Sequence, residues 1–265
     1  MDKLTVRSIA EAINESIPEV TQEEWDNSGV QIYIDDREVN KILVCLEVTE
    51  EVADEAMISG VDMIVCHHPL IFGDIRNIDG TTSYGRTLIK LIRAGISVYA
   101  SHTPFDRIEG GNSDVLADLL GLTEVAPLGE TDGMDMCRTG FIPTVGKMKL
   151  EFFTTYVAKC LEIDSRSIRG AGDLDRGISK VAVCSGAGTD FAVAAAAAGC
   201  DVLVTGDVKH HQALEAKSIG ICIVDAGHYD TEKFFAGVMK KRLAEILGDS
   251  VEISESRVNT DPFVC

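Results

Sequence analysis

Basic residues are scarce in this 265-residue sequence, which has 24 Lys and Arg against 43 Asp and Glu and a formal net charge of −19. Sequence-independent binding to nucleic acid requires clustered cationic side chains that neutralise phosphates, so this composition argues against it. A cation is a more natural partner. Long apolar runs are also lacking, since none reaches the roughly 18 residues of a membrane-spanning helix. We therefore expect neither nucleic acid nor a membrane among the partners.

Several short motifs are missing as well. No CxxC pair is present, which excludes a zinc knuckle and a thioredoxin-type redox site. No P-loop, GxGxxG or NKxD-type motif is present, so nothing in the sequence is typical of guanine recognition. The N-terminal segment has an acidic helix pattern without a long apolar core, which is not typical of a signal peptide.

The eight cysteines do not form the pattern of a disulfide framework. Four of them lie inside apolar runs and are predicted to be buried thiols: Cys45, Cys66, Cys184 and Cys222. This use of cysteine predicts a reducing, cytoplasmic setting.

Short β-branched runs alternate with helical patterns along the whole chain. A first helix is predicted over roughly residues 5–17 and is followed by Pro18. Strand, helix, strand at this rhythm predicts an α/β fold with parallel strands and crossover helices. In the first half the alternating segments are residues 41–48, 49–60, 61–66, 84–95 and 96–100.

The second half repeats this plan over residues 180–228, followed by a helix predicted from about 229 to 246. Five residues recur identically 139 positions later: Lys41, Val44, Cys45, Gly60 and Asp62 match Lys180, Val183, Cys184, Gly199 and Asp201. We interpret this as an internal duplication, although two βαβ units can share a few residues by chance. The predicted lobes are residues 1–128 and 129–265, with the C-terminal segment able to return to the first lobe.

All six histidines follow a predicted strand or begin the next helix: His67, His68, His102, His210, His211 and His228. In open α/β sheets, ligands bind outside the carboxyl ends of the strands. Asp106 lies four residues after His102, and Glu232 lies four residues after His228, a spacing that places both side chains on one helix face. Imidazole and carboxylate ligands without thiolate suit Zn²⁺, Mn²⁺, Fe²⁺ or Ni²⁺.

The adjacent pair His67 and His68 raises a geometric question, because neighbouring side chains of a strand point to opposite faces. Where the strand gives way to a loop, both can turn toward the crevice, and Pro69 restricts His68 to extended or turn geometry. Since adjacent side chains diverge, they suit two nearby ions better than one.

Five segments together resemble the signature blocks of the NIF3-like family, whose members are often labelled GTP cyclohydrolase 1 type 2 homologues. They are WDNSG at 25–29, VCHHPLIF at 65–72, SHTPFD at 101–106, TGDVKHHQA at 205–213 and DAGHYDTE at 225–232. The resemblance implies two similar βαβ-based lobes around a central cleft, a dinuclear metal site in that cleft, and a ring-shaped homohexamer. The metal ligands it implies are His67, His68, Asp106, His228 and Glu232, with Glu232 bridging two divalent ions.

The sequence departs from the family pattern at two positions. Pro104 stands where the family usually has asparagine, which removes a polar side chain and a backbone donor without touching Asp106. His210 stands where the family commonly has tyrosine, so His211 is the motif histidine.

The expected function is that of a dinuclear-metal-dependent hydrolase of a small, nucleotide-like substrate. His102 is the candidate for proton transfer, and the alternative is that it orients a metal ligand. Candidate substrate-binding residues are Asp207, Lys209, His211 and Asn27, while Trp25 either lines the cleft or anchors packing. A non-catalytic metal-binding or regulatory interaction protein is the alternative function.

Overall fold

The computed structural model describes residues 3–129 and 136–263, and its elements are numbered here in chain order. The strands are β1 (Gly29–Ile32), β2 (Lys41–Cys45), β3 (Met63–Cys66), β4 (Ser97–Ala100), β5 (Thr123–Pro127), β6 (Arg138–Phe141), β7 (Met148–Lys149), β8 (Arg169–Ala171), β9 (Gly177–Ile178), β10 (Lys180–Val183), β11 (Val202–Thr205), β12 (Cys222–Asp225) and β13 (Glu252–Glu255). The α-helices are α1 (Val6–Ser16), α2 (Glu50–Ser59), α3 (Ser83–Ala94), α4 (Thr103–Arg107), α5 (Asn112–Leu119), α6 (Leu150–Cys160), α7 (Ala192–Ala197), α8 (His210–Ile219), α9 (His228–Glu232) and α10 (Phe235–Leu247). Short 3₁₀ helices cover Glu19–Thr21, Thr189–Phe191 and Gly248–Ser250.

The chain divides into two compact units. The first comprises the chain up to Phe105 together with Phe234–Thr260, and the second comprises Asp106–Lys233 and the segment from Asp261 onward. The boundary predicted at residues 128/129 therefore lies inside the second unit. The physical reason is that β5 pairs with β6 and belongs to the second sheet.

The first unit is built on a five-stranded sheet in the order β1-β4-β3-β2-β13. Strands β13, β2, β3 and β4 are parallel, and β1 runs antiparallel to β4 with Gly29 opposite Ala100. Every residue of β3 and β4 is buried, as expected for parallel strands covered by helices. Helix α2 packs against α3, and α1 packs against α10, which also contacts β2.

Helix α2 shows why these segments fold as the sequence predicts. The Thr49 side chain accepts a hydrogen bond from the Val52 N–H at 3.3 Å, and Glu50 and Glu51 occupy the first turn. Both features stabilise a helix N-terminus. At the other end, Gly60 adopts the left-handed conformation with φ of 64°, which a residue with a side chain adopts only at a cost.

The second unit is built on a six-stranded sheet in the order β5-β6-β10-β11-β12-β8, with β7 and β9 paired separately. Strands β10, β11 and β12 are parallel, whereas β5, β6 and β8 pair antiparallel with their neighbours. This mixed sheet has its own buried apolar core, which includes Ala182, Leu203 and Ile223 from the three parallel strands.

Two of the recurring residues make the same contacts in each unit. The Asp62 carboxylate accepts from the N–H groups of Asn40 and Lys41 at 2.8 and 3.1 Å, just before β2 and at its first residue. The Asp201 carboxylate accepts from the N–H groups of Ser179 and Lys180 at 2.9 and 3.2 Å, at the start of β10. The first parallel strand of each sheet is therefore tied to the next by an equivalent aspartate.

The prediction of a single helix from about residue 229 to residue 246 is wrong. The structure has two helices there, α9 and α10, separated by Lys233 and Phe234. The interruption lies where the chain passes from the second unit to the first, and Phe235, the first residue of α10, is fully buried.

The predicted burial of four cysteines is confirmed, because Cys45, Cys66, Cys184 and Cys222 are all at most 4% exposed. Burial raises the pKa of the Cys66 thiol to about 12. In the described part of the chain, every helix is too short or too polar to cross a membrane.

Candidate metal centre

Three histidines converge at the carboxyl ends of β3 and β4 in the first unit. His67 and His68 follow β3 directly, and His102 follows β4 after one intervening serine. The ring centroids are 4.9 Å apart for His67 and His68, 5.1 Å for His67 and His102, and 5.5 Å for His68 and His102. One ring nitrogen of each lies within 4.8 Å of the others, so these three side chains could hold a metal ion.

The adjacent histidines face the same region because the strand ends there. The N–H groups of His67 and His68 both donate to the Leu46 carbonyl, at 3.1 and 3.0 Å. Sharing one acceptor indicates that the regular ladder of β3 has given way to a turn, which releases the two side chains from opposite faces. His67 is fully buried, whereas the His68 side chain is 21% exposed.

Each histidine of this cluster contacts a protein acceptor through Nδ1. The Nδ1 atom of His67 lies 2.9 Å from the Ser101 carbonyl, that of His68 lies 3.2 Å from Glu47 Oε1, and that of His102 lies 2.8 Å from Asp26 Oδ1. Since these partners only accept, they favour the tautomer that carries its proton on Nδ1 and its lone pair on Nε2. Metal-binding histidines are commonly oriented in this way.

Asp26 is the most constrained of the acceptors, because its side chain is fully buried. Its two oxygens accept hydrogen bonds from His102 Nδ1, the Asn27 N–H, the Ser28 hydroxyl, and both the N–H and the hydroxyl of Thr103. Burial by itself would raise the pKa of this carboxyl, but the hydrogen bonds from His102 and Thr103 hold it well below its usual range. Asp26 is therefore an ionised carboxylate that orients the His102 ring.

In the second unit, His228 and Glu232 form a histidine–carboxylate pair. They are the first and last residues of α9, and His228 Nε2 lies 3.1 Å from Glu232 Oε2, as the four-residue spacing predicts. His228 Nδ1 lies 2.7 Å from Asp207 Oδ2. Glu232 is buried, whereas the His228 side chain is 32% exposed, so the contact joins a buried carboxylate to a partly exposed imidazole.

The loop after β10 passes very close to this pair. A Cβ atom at Gly186 would lie 2.3 Å from Glu232 Oε1 and 3.2 Å from His228 Nε2, and Gly186 has φ of +60°. The Gly186 N–H donates to the Thr231 hydroxyl at 3.0 Å, and the Gly186 carbonyl accepts from the Thr205 hydroxyl at 3.0 Å. Only glycine fits this position without displacing the glutamate.

Asp106 is also buried in the second unit, at 5% exposure. Its Oδ1 atom accepts a hydrogen bond from Asn112 Nδ2 at 2.8 Å and lies 3.5 Å from the Ser185 hydroxyl. Asp106 is thus a buried carboxyl group beside neutral hydrogen-bond donors, and carboxylate oxygens are accepted ligands of divalent cations.

The predicted substrate-binding residues occupy different environments. Asp207 contacts His228, so the structure gives it an orienting contact, and its φ of 55° is unusual for a residue with a side chain. His211 and Lys209 are exposed at the start of α8. Asn27 Nδ2 donates to the Ile71 carbonyl at 2.7 Å, which ties the WDNSG segment to the loop after the histidine pair.

Sequence reasoning missed several residues that position this site. Asp26 lies in the quoted WDNSG block, but no role was predicted for it. Glu47 follows β2 at the same sheet edge as His68, so a carboxylate beyond a parallel strand was the available signal. Nothing in the SGAG segment at 185–188 indicated how closely Gly186 approaches Glu232.

The fold and these groups define a class: a two-unit α/β protein with buried imidazole and carboxylate groups at the carboxyl ends of parallel strands. Imidazole nitrogens and carboxylate oxygens are the donors that Zn²⁺ and the other divalent transition metals accept, so the residues fit a metal ion. The chain belongs to the family described as Duf34/NIF3 (NGG1p interacting factor 3), whose match covers residues 4–262.

Relatives and solved structures agree with this assignment. A GTP cyclohydrolase 1 type 2 homolog of Clostridium perfringens is 31% identical over 261 residues, covering 98% of this chain and 99% of the relative. The crystal structure of Staphylococcus aureus hypothetical protein SA1388 matches with a TM-score of 0.92 at 27% identity and full coverage of both chains. The structure of a Bacillus cereus protein related to NIF3 matches with a TM-score of 0.91 at 25% identity, again over both whole chains.

Proposed function

We propose that this protein is a metal-dependent hydrolase of a small molecule. The observation that carries the proposal is the cluster of His67, His68 and His102, in which each Nδ1 contacts an acceptor and one ring nitrogen of each lies within 4.8 Å of the others. Imidazoles oriented by such contacts are typical of the ligands of a divalent transition metal and of the groups beside it.

The proposed ligands for two divalent ions are His67, His68, Asp106, His228 and Glu232, with Zn²⁺, Mn²⁺, Fe²⁺ and Ni²⁺ as candidates. The family's signature blocks support this set, and so do the buried carboxylates of Asp106 and Glu232. Such ions would supply Lewis acidity that polarises the bond to be cleaved and activates water at neutral pH.

His102 is proposed to carry protons during the reaction. Asp26 holds the proton on His102 Nδ1, so the second nitrogen, Nε2, is the one that can accept or donate a proton. A buried, ionised carboxylate behind an imidazole also stabilises the imidazolium that forms when Nε2 accepts a proton.

The name of the relatives, GTP cyclohydrolase 1 type 2 homolog, makes GTP the first substrate to assay. Hydrolysis of the guanine imidazole ring, of a phosphoester and of a cyclic amide would all use the same metal ions and the same proton-transfer residue. We therefore propose the reaction class, hydrolysis, and a nucleotide-like substrate.

Metal analysis tests the ligand set. Purified wild-type protein should contain close to two divalent ions per chain, and His68→Ala and Glu232→Ala should each lower that content. His211→Ala is the matched control, because it removes an exposed histidine from outside the proposed ligand set. Retention of the full metal content in both ligand variants would show the assignment to be wrong.

A turnover screen tests the chemistry. Nucleotides, phosphoesters and cyclic amides should be offered to wild-type protein and to His102→Ala, each loaded with several metals. A proton-transfer role predicts that His102→Ala keeps its metal and loses most of its turnover, whereas loss of metal would make His102 a ligand. If wild-type protein turns over no substrate with any metal, a non-catalytic binding protein is the better description, in line with the interaction named in the family description.

We also propose that the chain assembles as a homohexamer in the cytoplasm. The resemblance to the family supports this assembly, as do large apolar side chains at the surface of single chains, such as Phe152 at 59% and Val145 at 109% exposure. Sedimentation of the purified protein tests it, and a stable monomer would contradict it.

A further inference from the structure

Two exposed aromatic rings stand beside the histidine cluster of the first unit. Trp25 is 58% exposed and Phe72 is 61% exposed, and their ring centroids lie 6.0 Å apart. The Trp25 ring meets the His102 ring edge to face at 5.8 Å, and the Phe72 ring lies 6.4 Å from it. Exposed apolar rings are a cost in water, and here they form a wall next to the proposed proton-transfer residue.

The position of this wall is fixed by contacts within the first unit. Asn27 Nδ2 donates to the Ile71 carbonyl, next to Phe72, and the Ile71 N–H donates to Gln31 Oε1 at 3.0 Å. Because Asn27 is two residues from Trp25 and Ile71 precedes Phe72, these bonds fix the backbone next to both aromatic residues. The two rings are therefore presented together before a ligand arrives.

Phe72 also lines a cavity of about 710 Å³ in the loop between β3 and α3. This volume is within the range of small-molecule sites. Tyr84 of α3 adds a second aromatic ring to its wall, and Arg76 adds a cation. The cavity therefore extends from the aromatic wall beside His102 to a positively charged side chain.

Arg76 is the cation that lines this cavity. It makes no hydrogen bond or ion pair with any residue in the described ranges 3–129 and 136–263. By contrast, Arg86 at the start of α3 is held by Glu50 at 2.9 Å. Two carboxylates also line the cavity. One of them, Asp79, accepts hydrogen bonds from the Thr81 N–H and hydroxyl. An uncommitted guanidinium is suited to bidentate recognition of phosphate.

We propose that this surface binds the substrate of the proposed hydrolase: a compound with a flat aromatic ring that carries an anionic group. The ring stacks on Trp25 and Phe72, which places it beside His102. The anionic group extends into the cavity and meets Arg76. Nucleoside monophosphates have this combination of ring and phosphate. This inference rests on the proposed function, but its test measures binding and not turnover.

Trp25 provides the measurement, because it is the only tryptophan of the chain. Metal-loaded full-length protein should be titrated with nucleoside 5′-monophosphates, the matching nucleosides and ribose 5-phosphate. The monophosphates should quench Trp25 fluorescence saturably, and the nucleosides should do so with about tenfold weaker affinity, the value of one hydrogen bond to a charged group. Ribose 5-phosphate, which has no aromatic ring, should not change the fluorescence. Calorimetry confirms each affinity independently of ligand absorbance.

Three variants separate the contributions. Arg76→Gln should lower monophosphate affinity to that of the nucleoside and leave nucleoside affinity unchanged, whereas Phe72→Leu should weaken both. Arg93→Gln is the matched control, since Arg93 is an exposed arginine in the last turn of α3, about 14 Å along the helix from Tyr84. It should change neither affinity.

Two results would overturn the inference. One is unchanged monophosphate affinity in Arg76→Gln, and the other is the absence of saturable binding for every nucleoside and nucleotide. If nucleotides bind but are not hydrolysed, the proposed hydrolase activity is refuted and the binding site is not. If a compound is hydrolysed by Arg76→Gln and Phe72→Leu at the wild-type rate, the proposed binding site is refuted and the hydrolase activity is not.

Discussion

Replacement of Asp26 by asparagine should destabilise the protein and disorient His102. The change keeps the shape of the side chain but replaces one acceptor oxygen by an NH₂ donor. In the native protein, one carboxylate oxygen faces His102 Nδ1 and the Asn27 N–H, and the other faces the Ser28 hydroxyl and the N–H and hydroxyl of Thr103. An asparagine can serve only one of these two sides.

The size of the expected stability loss depends on the backbone N–H donors, which cannot rotate to accept a hydrogen bond instead. If the NH₂ group faces Thr103, the two hydroxyls can rotate and accept, but the Thr103 N–H meets another donor. If it faces His102, the ring can move its proton to Nε2, but the Asn27 N–H meets a donor. Either orientation leaves one backbone N–H unsatisfied at a buried side chain, which costs about 1–3 kcal/mol of unfolding free energy. The second orientation also removes the Nε2 lone pair of His102.

Urea unfolding of wild-type and Asp26→Asn protein at neutral pH measures this difference. Because the pKa of the Asp26 carboxyl is lowered in the folded state, its contribution is fully present above the unfolded pKa of about 3.9. It is lost as the pH falls through the lower, folded value, so the difference between the two proteins should shrink only in strong acid. Asp35→Asn is the control, since Asp35 is half-exposed and pairs with Arg37 at the surface. Equal stability of Asp26→Asn and wild-type protein at neutral pH would refute this reasoning.

Two further predictions concern other parts of the chain. Gly186→Ala should lower metal content, because the new Cβ atom would displace Glu232. Gly199→Ala is the control: Gly199 has the same left-handed backbone with no atom within 4 Å of an added Cβ, so this variant should lose only about 1–2 kcal/mol of stability. Equal metal content in both variants, measured by elemental analysis, would contradict the contact between Gly186 and Glu232. At pH 8, a thiol-alkylating reagent should modify the partly exposed Cys160 of the native protein but not the buried Cys66. With a pKa of about 12, only about 10⁻⁴ of the Cys66 thiol is ionised at this pH. Mass spectrometry of the digested protein identifies the labelled cysteines, and rapid labelling of Cys66 in the native protein would contradict its burial.

The alternation of strands and helices was predictable because each element carries its own local signal. Thr49 and Gly60 mark the two ends of α2, and the apolar runs of β2 and β3 match their buried positions. The clustering of His67, His68 and His102 was also predictable, since parallel strands bring their carboxyl ends to one sheet edge. Local pattern and strand direction were sufficient there.

The partners that orient the site were less accessible from the sequence. Asp26 and His102 are 76 residues apart, and no local pattern links them. The unit boundary was misplaced because β5 follows α5 in the rhythm of the first half, while its hydrogen bonds go to β6. Gly186 was not singled out because its constraint is a distance to Glu232, and a distance across the fold leaves no periodicity in the sequence.

The antiparallel direction of β1 determines which insertions the site can tolerate. Because Gly29 pairs with Ala100, the residues entering β1 lie beside those leaving β4, which is how Asp26 reaches His102. A slip of one residue would move Asp26 by about 3.3 Å along the strand and break that contact. The ladder already contains an irregularity between Val30 and Ile32, on the far side of this pair. Insertion or deletion of residues after Ile32 should therefore leave the carboxylate in place, whereas a change in the three-residue step from Asp26 to Gly29 should move it.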